Sequence, residues 1–329
     1  MNSVTVIIPN WNRRALLARA LESVRGQTCA PAEILVVDGG STDGSAELAA
    51  AWGVRVIRLA RNEGFCRAVN AGIREARTEW VAVLNNDVTL APDWLELLLD
   101  SARRWNASFA TGKIFSAAEP AFLDGTFDAL CVGGCSWRAG YGRPDGPIWL
   151  EPRSIRFAPL TAALLRTELF EAVGLLDERF GSYLEDVEFG LRCSLAGYEG
   201  IYVPGARCFH TGSATWGGWS PEMVRLISRN QLLLVAKHYP SGLLWRSLWR
   251  IVVAQVLWGL LAARRGAGRA WIQGKLEALR TTRHMRPAAR SNPPDSRLRE
   301  VLEASERQIH DLQQETGFDW YWRLYFALT

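Results

Sequence analysis

Short apolar runs alternate with amphipathic segments over the first hundred residues of the chain. Each run is rich in valine, isoleucine and leucine and ends in proline or polar residues. Continuous runs of this kind predict strands buried on both faces, and segments with apolar residues on one helical face predict helices. The predicted strands cover residues 4–9, 34–38, 54–57 and 80–88.

Strands that alternate with helices predict an α/β fold with a doubly wound, mostly parallel sheet flanked by helices. Such sheets bind ligands at the carboxyl ends of their strands. The residues expected at this edge are Pro9, Asn10, Trp11, Asn12, Asp38, Asn62, Gly64, Asn85, Asn86 and Asp87. Short polar side chains, glycines and one aromatic ring suit a nucleotide. Because the chain has no Gly-x-Gly-x-x-Gly and no Gly-x-x-x-x-Gly-Lys-Ser/Thr motif, neither a dinucleotide fold nor a P-loop is supported.

The fourth predicted strand carries the most informative polar end. Its apolar residues stop at Asn85, Asn86 and Asp87. A carboxylate held by a rigid strand can bind a divalent cation, which a diphosphate ligand needs. The alternative is that Asp87 only caps the following turn.

Four segments in sequence order resemble the successive signatures of glycosyltransferase family 2, the inverting enzymes with a GT-A fold, particularly its rhamnosyltransferase-like branch. They cover residues 6–12, 36–44, 62–70 and 84–87. The resemblance extends roughly from Ser3 to Pro240. It implies a GT-A fold and the transfer of a single sugar from a nucleoside-diphosphate sugar, linked to UDP, dTDP or GDP, to an acceptor hydroxyl.

The same resemblance assigns roles to residues of these segments. Trp11 would lie against the base, Asp38 would hydrogen-bond it, and Asn70 would belong to the nucleotide-binding set. Asp87 would be the last position of the family's Asp-x-Asp metal motif. The first position of that motif is Asn85 here; an amide can hydrogen-bond a ribose hydroxyl but brings no charge to a metal.

A second acidic segment lies at residues 183–192 and resembles the Glu-Asp signature of the same family. Inverting displacement at an anomeric carbon needs one carboxylate to take the proton of the attacking hydroxyl. Asp186 is the candidate base, and Glu185 is the alternative because adjacent helical residues point about 100° apart. The other interpretation is that acids in a first turn only meet the helix dipole.

His210 stands in His-Thr-Gly-Ser, where the family places its second protein metal ligand. Asp87, His210, two diphosphate oxygens and water would make a six-coordinate site for Mn²⁺ or Mg²⁺, and imidazole favours manganese. The segment 216–219, Trp-Gly-Gly-Trp, predicts either a lid or sugar platform or a loop anchor. Arg229 could face the diphosphate or solvent.

The C-terminal part is apolar and basic. Residues 243–290 contain ten Lys or Arg against one acid, Glu277. The charge-free stretch 251–263 is shorter than the roughly 20 residues of a membrane span. An interfacial helix on an anionic membrane is therefore predicted, with packing on protein or a homodimer partner as the alternative.

The predicted domains are a glycosyltransferase domain at 1–240, with a nucleotide-binding half at 1–106 and an acceptor and catalytic half at 107–240, then a basic helical region at 241–290. A linker, a short helix and an aromatic tail fill 291–329, and the tail is expected to dock on protein or membrane. Within the acceptor half, the glycine-rich stretch 109–159 predicts loops and short strands.

Net charge and cysteine usage bear on the binding partners and on the cellular compartment. A net charge of +4 gives no reason to expect nucleic acid, and six cysteines without Cys-x-x-Cys suggest reduced thiols in the cytoplasm. No signal peptide is expected before the first strand. The resemblance implies a role in bacterial cell-surface glycan or lipid-linked oligosaccharide synthesis, at the inner face of the cytoplasmic membrane if the protein is peripheral. The rival hypothesis is a non-catalytic nucleotide-sugar or glycan-binding scaffold. The joint presence of Asp38, Asp87, Asp186 and His210 argues against it.

Overall fold

The computed structural model describes residues 4–212, 219–282 and 295–329. Contacts divide the chain into two compact units. The first, here called the sheet unit, comprises Met1–Asp128 and Gly140–Ala214, and the second, the helical unit, comprises Ala129–Ala139 and Thr215–Thr329. The predicted domain boundary at 240 stays a prediction. Residues 216–218 of the predicted lid and residues 291–294, where the linker is predicted, lie outside the described residues.

The first half of the sheet unit follows the predicted alternation of strands and helices. Its elements are β1 (Val4–Asn10), α1 (Arg14–Arg25), β2 (Glu33–Asp38), α2 (Ser45–Ala51), β3 (Arg55–Arg58), α3 (Phe65–Glu75), β4 (Trp80–Leu84), β5 (Val88–Leu90) and α4 (Trp94–Arg104). The predicted strand 80–88 is two strands, because the backbone turns at residues 85–87 between β4 and β5.

The second half is built from shorter strands, as the glycine-rich pattern predicts. Its elements are β6 (Phe109–Ser116), β7 (Leu123–Gly125), β8 (Asp128–Leu130), β9 (Ser136–Arg138), a 3₁₀ turn (Pro147–Trp149), β10 (Arg153–Ile155), β11 (Ala162–Arg166), α5 (Glu168–Ala172), α6 (Glu185–Leu195) and β12 (Gly200–His210). The hairpin of β8 and β9 forms a separate two-stranded sheet.

The main sheet has the order β10-β12-β6-β11-β4-β1-β2-β3. Strands β3, β2, β1 and β4 are parallel, as predicted. Beyond β4 the sheet is mixed, since β11 runs antiparallel to both β4 and β6 while β12 runs parallel to β6. The prediction of a mostly parallel sheet therefore holds for the first half only. The doubly wound α/β class is confirmed.

Apolar side chains on one face of this sheet pack against α1 and α4. Trp80 of β4 and Trp94 of α4 are almost fully buried in this core, together with Leu17, Leu21 and Leu98. Large aromatic side chains contribute much of the burial that stabilises a core. The central strands are thereby fixed, and the polar residues that follow them have defined positions.

The helical unit contains α7 (Pro221–His238), α8 (Ser241–Arg264), α9 (Gly268–Thr282), α10 (Asp295–Thr316) and α11 (Trp320–Leu328). Helices α8 and α9 confirm the predicted helical C-terminal extension over residues 241–282, and α10 is longer than the short helix predicted. At Gly274 of α9, an added Cβ would lie 2.2 Å from the Arg225 carbonyl oxygen of α7. Only glycine permits so close an approach of the two helices.

The C-terminal helices enclose the hairpin residues 129–139, which belong to the same unit. Leu130 N donates to Ser305 Oγ (2.8 Å), Val132 N to Glu306 Oε1 (3.1 Å) and Gly133 N to Tyr325 OH (3.2 Å). Tyr321, Trp322 and Tyr325 of the aromatic tail are buried. The tail therefore docks on protein along this side, which is one of its two predicted partners.

Helix α8 is the one described helix that is long and apolar enough to cross a membrane, by length and composition. Of its most apolar stretch, 39% is buried inside the protein. The charge-free segment identified in the sequence is shorter than α8 because Arg246 and Arg250 lie within the helix.

Candidate active site

The carboxyl ends of β1, β2 and β4 meet through a chain of side-chain hydrogen bonds. Asn10 Nδ2 donates to Asp38 Oδ1 (3.0 Å), and Asn86 Nδ2 donates to Asn10 Oδ1 (2.7 Å). The strand register explains this arrangement, because Asn10 is paired directly with Asp38 at the ends of β1 and β2. Three of the predicted edge residues are thus brought together, with Asp38 buried.

The loop after β1 is fixed against the loop after β2. Ser41 donates from both its backbone N (2.9 Å, to Oδ2) and its hydroxyl (2.5 Å, to Oδ1) to Asp38. Asn12 N donates to Ser41 Oγ (2.7 Å), and Thr42 N donates to Asn12 Oδ1 (2.9 Å). Asn12 has a φ of 57°, a left-handed conformation that asparagine tolerates better than most residues. These bonds leave Trp11 40% exposed beside a rigid polar edge.

The loop before α3 lies against the loop that leads to α6. Asn62 Oδ1 accepts from Gly64 N (3.0 Å), and Cys66 N donates to the Gly181 carbonyl (3.1 Å). An added Cβ at Gly64, where φ is 95°, would lie 3.5 Å from Gly181 Cα. This approach brings the predicted nucleotide-binding loop to the predicted catalytic segment.

Asn70 is not among the side chains that meet at the edge. It is buried in α3, where its Nδ2 donates to the Leu176 carbonyl (2.9 Å) and its Oδ1 accepts from Leu176 N (3.0 Å). Its amide therefore anchors the loop before α6, and its assignment to the nucleotide-binding set stays a prediction. Pro9 is paired with Val37 within the sheet, and Asn85 N donates to the Thr161 carbonyl (2.9 Å).

Asp87 and His210 lie side by side. His210 Nε2 is 3.2 Å from Asp87 Oδ1, and His210 Nδ1 is 2.8 Å from Asp124 Oδ2. The backbone enforces the contact, since His210 is paired with Val88 and Thr211 N donates to the Asp87 carbonyl (2.9 Å). The structure thus brings together the two side chains that the resemblance pairs as metal ligands.

The electrostatics of this group follow from two carboxylates around one imidazole. Burial by itself lowers the pKa of His210, but hydrogen bonds and charge from Asp124 and Asp87 outweigh burial and raise it to about 9. A group with this excess of negative charge attracts a cation.

The donor set fits a divalent cation that also binds an oxygen-rich ligand. Among the described residues, no three or more His, Cys, Asp or Glu side chains are arranged to hold a metal by themselves. One carboxylate and one imidazole leave most of the coordination shell to other oxygens. Asp124 Oδ2 fixes the orientation of the imidazole from its other side, as partners of metal-binding histidines commonly do.

The acidic segment starts α6. Tyr183 (φ 69°) and Leu184 (φ 63°) both adopt left-handed conformations, which turn the chain sharply into the helix. Glu185 is 7% exposed, whereas Asp186 is more accessible and its Oδ1 accepts from Val187 N (2.8 Å). The accessible carboxylate of the pair is therefore that of Asp186.

Glu188, the third acid of this segment, is fully buried and bonded to Arg192 one turn later, with Nη2 to Oε2 at 3.0 Å. Arg192 also donates to the carbonyls of Val173, Gly174 (3.0 Å) and Leu175 (2.9 Å). Glu188 thus stabilises α6 and its neighbouring loop.

The structure also shows the surroundings of Arg229 and Trp219, for which the sequence left two interpretations open. Arg229 Nε donates to Asn230 Oδ1 (2.9 Å) within α7. The Trp219 ring packs against Trp258, with centroids 5.7 Å apart and planes tilted by 32°, and the Arg265 guanidinium lies over the Trp219 ring at 5.1 Å. The geometry favours the anchoring interpretation for Trp219; its partner Trp216 lies outside the described residues.

Sequence reasoning missed Asp124 and Ser41. Asp124 lies on β7, a three-residue strand in the glycine-rich stretch where the sequence indicates only loops and short strands. Ser41 lies inside a recognised segment, and the signal available for it was its position three residues after Asp38, the spacing of a side chain that closes an Asx turn.

The family model for glycosyl transferase family 2 matches residues 5–174 of the chain. An N-acetylglucosaminyl-diphospho-decaprenol L-rhamnosyltransferase of Mycobacterium tuberculosis is 30% identical in an alignment 273 positions long, which covers 75% of this chain and 87% of that protein.

Two solved structures resemble the fold at 16% sequence identity. A structure of GalNAc-T7 with UDP, GalNAc and Mn²⁺ has a TM-score of 0.62, covering 97% of this chain and 58% of that one. The mannosyltransferase PcManGT from Pyrobaculum calidifontis, in complex with GDP-Man and Mn²⁺, has a TM-score of 0.54, covering 99% of this chain and 86% of that one. At this identity the likeness establishes the fold, and the predicted GT-A architecture is confirmed.

Proposed function

This chain belongs to glycosyltransferase family 2 and is a glycosyltransferase, and we propose that it transfers a single sugar from a nucleoside-diphosphate sugar to an acceptor hydroxyl with inversion. The observation that carries the proposal is the contact of Asp87 with His210 at the end of a sheet whose neighbouring strands present Asn10, Asp38 and Asn86. The proposed cation site would therefore adjoin a polar edge suited to a nucleotide.

The donor nucleotide would lie along the edge formed by the loops after β1, β2 and β4. Trp11 is exposed and can stack on a base, while Asp38 is held in place by Asn10 and Ser41 and can accept a base N–H. We expect Asn85 and Asn86 to lie on the ribose side of this edge. Gly64 has a φ of 95°, which favours glycine, and its loop beside Gly181 would approach the ligand through its backbone.

Asp87 and His210 would hold Mn²⁺ or Mg²⁺, with imidazole favouring manganese. Such a cation supplies Lewis-acid stabilisation of the leaving diphosphate. The role of Asp124 in this site is to fix the His210 ring through Nδ1, so that Nε2 faces Asp87. His210 must be neutral at Nε2 to act as a ligand, and a bound cation opposes the protonation that the two carboxylates otherwise favour.

Asp186 is the proposed base, and Glu185 is the alternative. The acceptor hydroxyl attacks the anomeric carbon from the face opposite the diphosphate, and its proton passes to the carboxylate. Support for Asp186 comes from its greater accessibility, since Glu185 is buried and Glu188 is paired with Arg192. The left-handed residues Tyr183 and Leu184 set the direction in which the start of α6 presents this carboxylate.

The proposed acceptor is a bacterial cell-surface glycan or a lipid-linked glycan. This proposal rests on the similarity to the rhamnosyltransferase whose name specifies a diphospho-decaprenol substrate. A cytoplasmic protein that is peripheral at the membrane would reach such an acceptor, and a homodimer is an alternative use of the C-terminal helices. Rhamnose is one candidate sugar.

Calorimetric binding of UDP, dTDP and GDP, each with Mn²⁺ and again with chelator, tests the proposal. We expect one nucleotide to bind in the presence of Mn²⁺ and to lose most of its affinity with chelator. Asp87→Ala should reproduce the chelator result without metal removal, while the exposed Asp100→Asn should bind as the wild type does. If no nucleotide binds under either condition, the chain would be a scaffold that keeps the fold without the chemistry.

A further inference from the structure

Helix α8 exposes an unusually apolar stripe. Trp245, Trp249, Val252, Val256 and Leu260 recur at three- and four-residue intervals and are all exposed. Leu244 and Leu248 extend the stripe at its amino-terminal end. Residues at this spacing share one face of a helix. Folded proteins rarely expose a contiguous apolar face of this length. Where they do, the face usually marks an interaction site.

Helix α9 carries a matching stripe of Ile272, Leu276 and Leu279. The two helices are antiparallel neighbours: Lys275 Nζ bonds to Gln255 Oε1, and Gly259 lies against the Trp271 ring. Each residue of a helix adds a rotation of about 100°, so the stripe can be located around each helix relative to these contacts. On both helices the stripe lies less than about 110° from the contacts, and it is rotated from them in the same sense along the sequence. In antiparallel helices this rotation brings both stripes to the same side, and we call the combined surface the α8–α9 face.

The opposite side of α8 is occupied by protein. Arg250, on that side, bonds to Glu306 of α10 with Nη1 to Oε2 at 3.0 Å. Val253, Ala254 and Leu257 pack with the aromatic residues of α11. At the margin of the α8–α9 face, Trp249 Nε1 donates to the Leu328 carbonyl (2.8 Å). The face is therefore one side of a helical layer whose other side is already packed.

Charge around the α8–α9 face has one sign. Exposed arginines lie at its margins at positions 246, 264, 269 and 280. The one acid on α8 or α9 is Glu277, which is bonded to Arg225 of α7. The face thus combines an apolar centre with a cationic margin.

We propose that the α8–α9 face is a docking surface for a lipid bilayer with anionic headgroups. The aliphatic and tryptophan side chains would enter the interface between headgroups and acyl chains, and the marginal arginines would meet phosphate groups. Helix α8 would lie along the membrane rather than cross it, because spanning would remove the packing of its other side on α10 and α11.

A second copy of the chain fits the same surface less well. In a two-fold dimer the face meets itself, so that a margin of arginines without free acids would meet another of the same kind. Like charges brought together oppose association, whereas anionic headgroups complement them.

The test is co-sedimentation of the full-length protein with vesicles of phosphatidylcholine, with and without phosphatidylglycerol. No donor or acceptor is present, so the result is independent of the proposed sugar transfer. We expect binding to the phosphatidylglycerol vesicles to be at least about tenfold stronger than to phosphatidylcholine alone and to weaken with salt.

The variant Leu260→Glu/Leu279→Glu replaces leucines that are 55% and 56% exposed on the face. We expect vesicle binding at least about tenfold weaker than that of the wild type. Leu150→Glu is the matched control, because Leu150 is 58% exposed on the sheet unit. Arg264→Gln/Arg280→Gln supplies a second variant that leaves the apolar residues in place and should reduce only the preference for phosphatidylglycerol.

Three results would overturn the proposal. One is the absence of vesicle binding by the wild type, and another is wild-type binding by the double glutamate variant. The third is a dimer in solution that Leu260→Glu/Leu279→Glu dissociates, without vesicle binding by the wild type, which would identify the face as a protein interface.

Discussion

Two buried polar clusters, one in each unit, differ in how their charge is balanced. In the sheet unit, the carboxylates of Asp87 and Asp124 flank the single imidazole of His210. In the helical unit, the ammonium of Lys275 is surrounded by the Ser228 carbonyl (2.8 Å) and the side-chain oxygens of Gln231 (3.2 Å) and Gln255.

In the first cluster two carboxylates face one imidazole, so a further cation would balance the remaining negative charge, whereas the ammonium of the second cluster meets only neutral acceptors. A buried charge without a counter-charge is costly, and the cost is removed either when a ligand of opposite charge binds or when the group changes its protonation state. We therefore propose that the first cluster binds a cation, whereas the second makes the stability of the fold depend on pH through the Lys275 ammonium. The surfaces differ as well, since thirteen of the eighteen exposed large hydrophobic residues in the described parts of the chain belong to the helical unit.

The largest expected effect tests the sheet unit. Asp186→Asn removes the proposed base while keeping the shape of the side chain, so transfer should fall by about a thousandfold. Nucleotide affinity and thermal stability should remain at wild-type levels, measured by calorimetry and by thermal unfolding. Asp100→Asn, on the exposed side of α4, is the control with the same chemical change. Transfer by Asp186→Asn at the wild-type rate would move the base to Glu185 or elsewhere.

The next largest effect concerns how the stability of the helical unit depends on pH. Burial lowers the pKa of Lys275 from 10.5 to about 8. Between these pH values the unfolded chain holds a proton that the folded chain has released, so this group makes the folded state more stable as pH rises. Urea unfolding of the wild type and of Lys275→Met should give a difference in unfolding free energy that shifts by about 3 kcal/mol in favour of the wild type from pH 8 to 10.5. A difference independent of pH would show that the ammonium is not desolvated.

Asp124→Asn sharpens the contrast within the sheet unit. The amide keeps a hydrogen bond to His210 but removes the charge and permits the wrong ring tautomer. We expect the affinity for Mn²⁺ in the presence of nucleotide to fall about tenfold, with metal-free nucleotide binding unchanged. A titration with Mn²⁺ measures this effect. Unchanged Mn²⁺ affinity would mean that Asp124 is only a structural partner of the strand.

The smallest effect concerns the exposed side of the helical unit. Because Val256 and Leu260 are exposed in the free protein, Val256→Ser and Leu260→Ser should each change the free energy of unfolding by less than about 0.5 kcal/mol. Leu257→Ser, one residue away but buried, should cost more than about 2 kcal/mol. Chemical unfolding distinguishes the two classes, and a large loss at Leu260 would show that the face is packed on protein.

The sequence predicted the first half of the sheet because each of its strands is a continuous apolar run with a polar end. The residues at those ends, such as Asn10, Asp38 and Asn86, could be placed together from the rule that parallel strands present their carboxyl ends on one edge. The hydrogen bonds between these residues could not be predicted, because Asn10 connects Asp38 with Asn86 through side-chain rotamers that only the packed strands determine.

The second half escaped prediction for a physical reason. Strands of three residues, such as β7 and β8, carry too few positions for a periodicity to be measured, and they are held by neighbours distant in sequence. Asp124 is on such a strand, so no local pattern marks it. Asn70 shows the opposite difficulty: it lies in a recognised segment, yet its side chain anchors the Leu176 backbone instead of facing the edge.

The hairpin 129–139 has its backbone amides bonded to Ser305, Glu306 and Tyr325, more than 170 positions later in the sequence. A gene shortened after codon 214 would still encode the hairpin, but three buried N–H groups would lose their acceptors. Exchange of the C-terminal helices between relatives would meet the same obstacle unless the hairpin were exchanged with them. We therefore expect a recombinant protein to fold only when these two distant stretches are exchanged together.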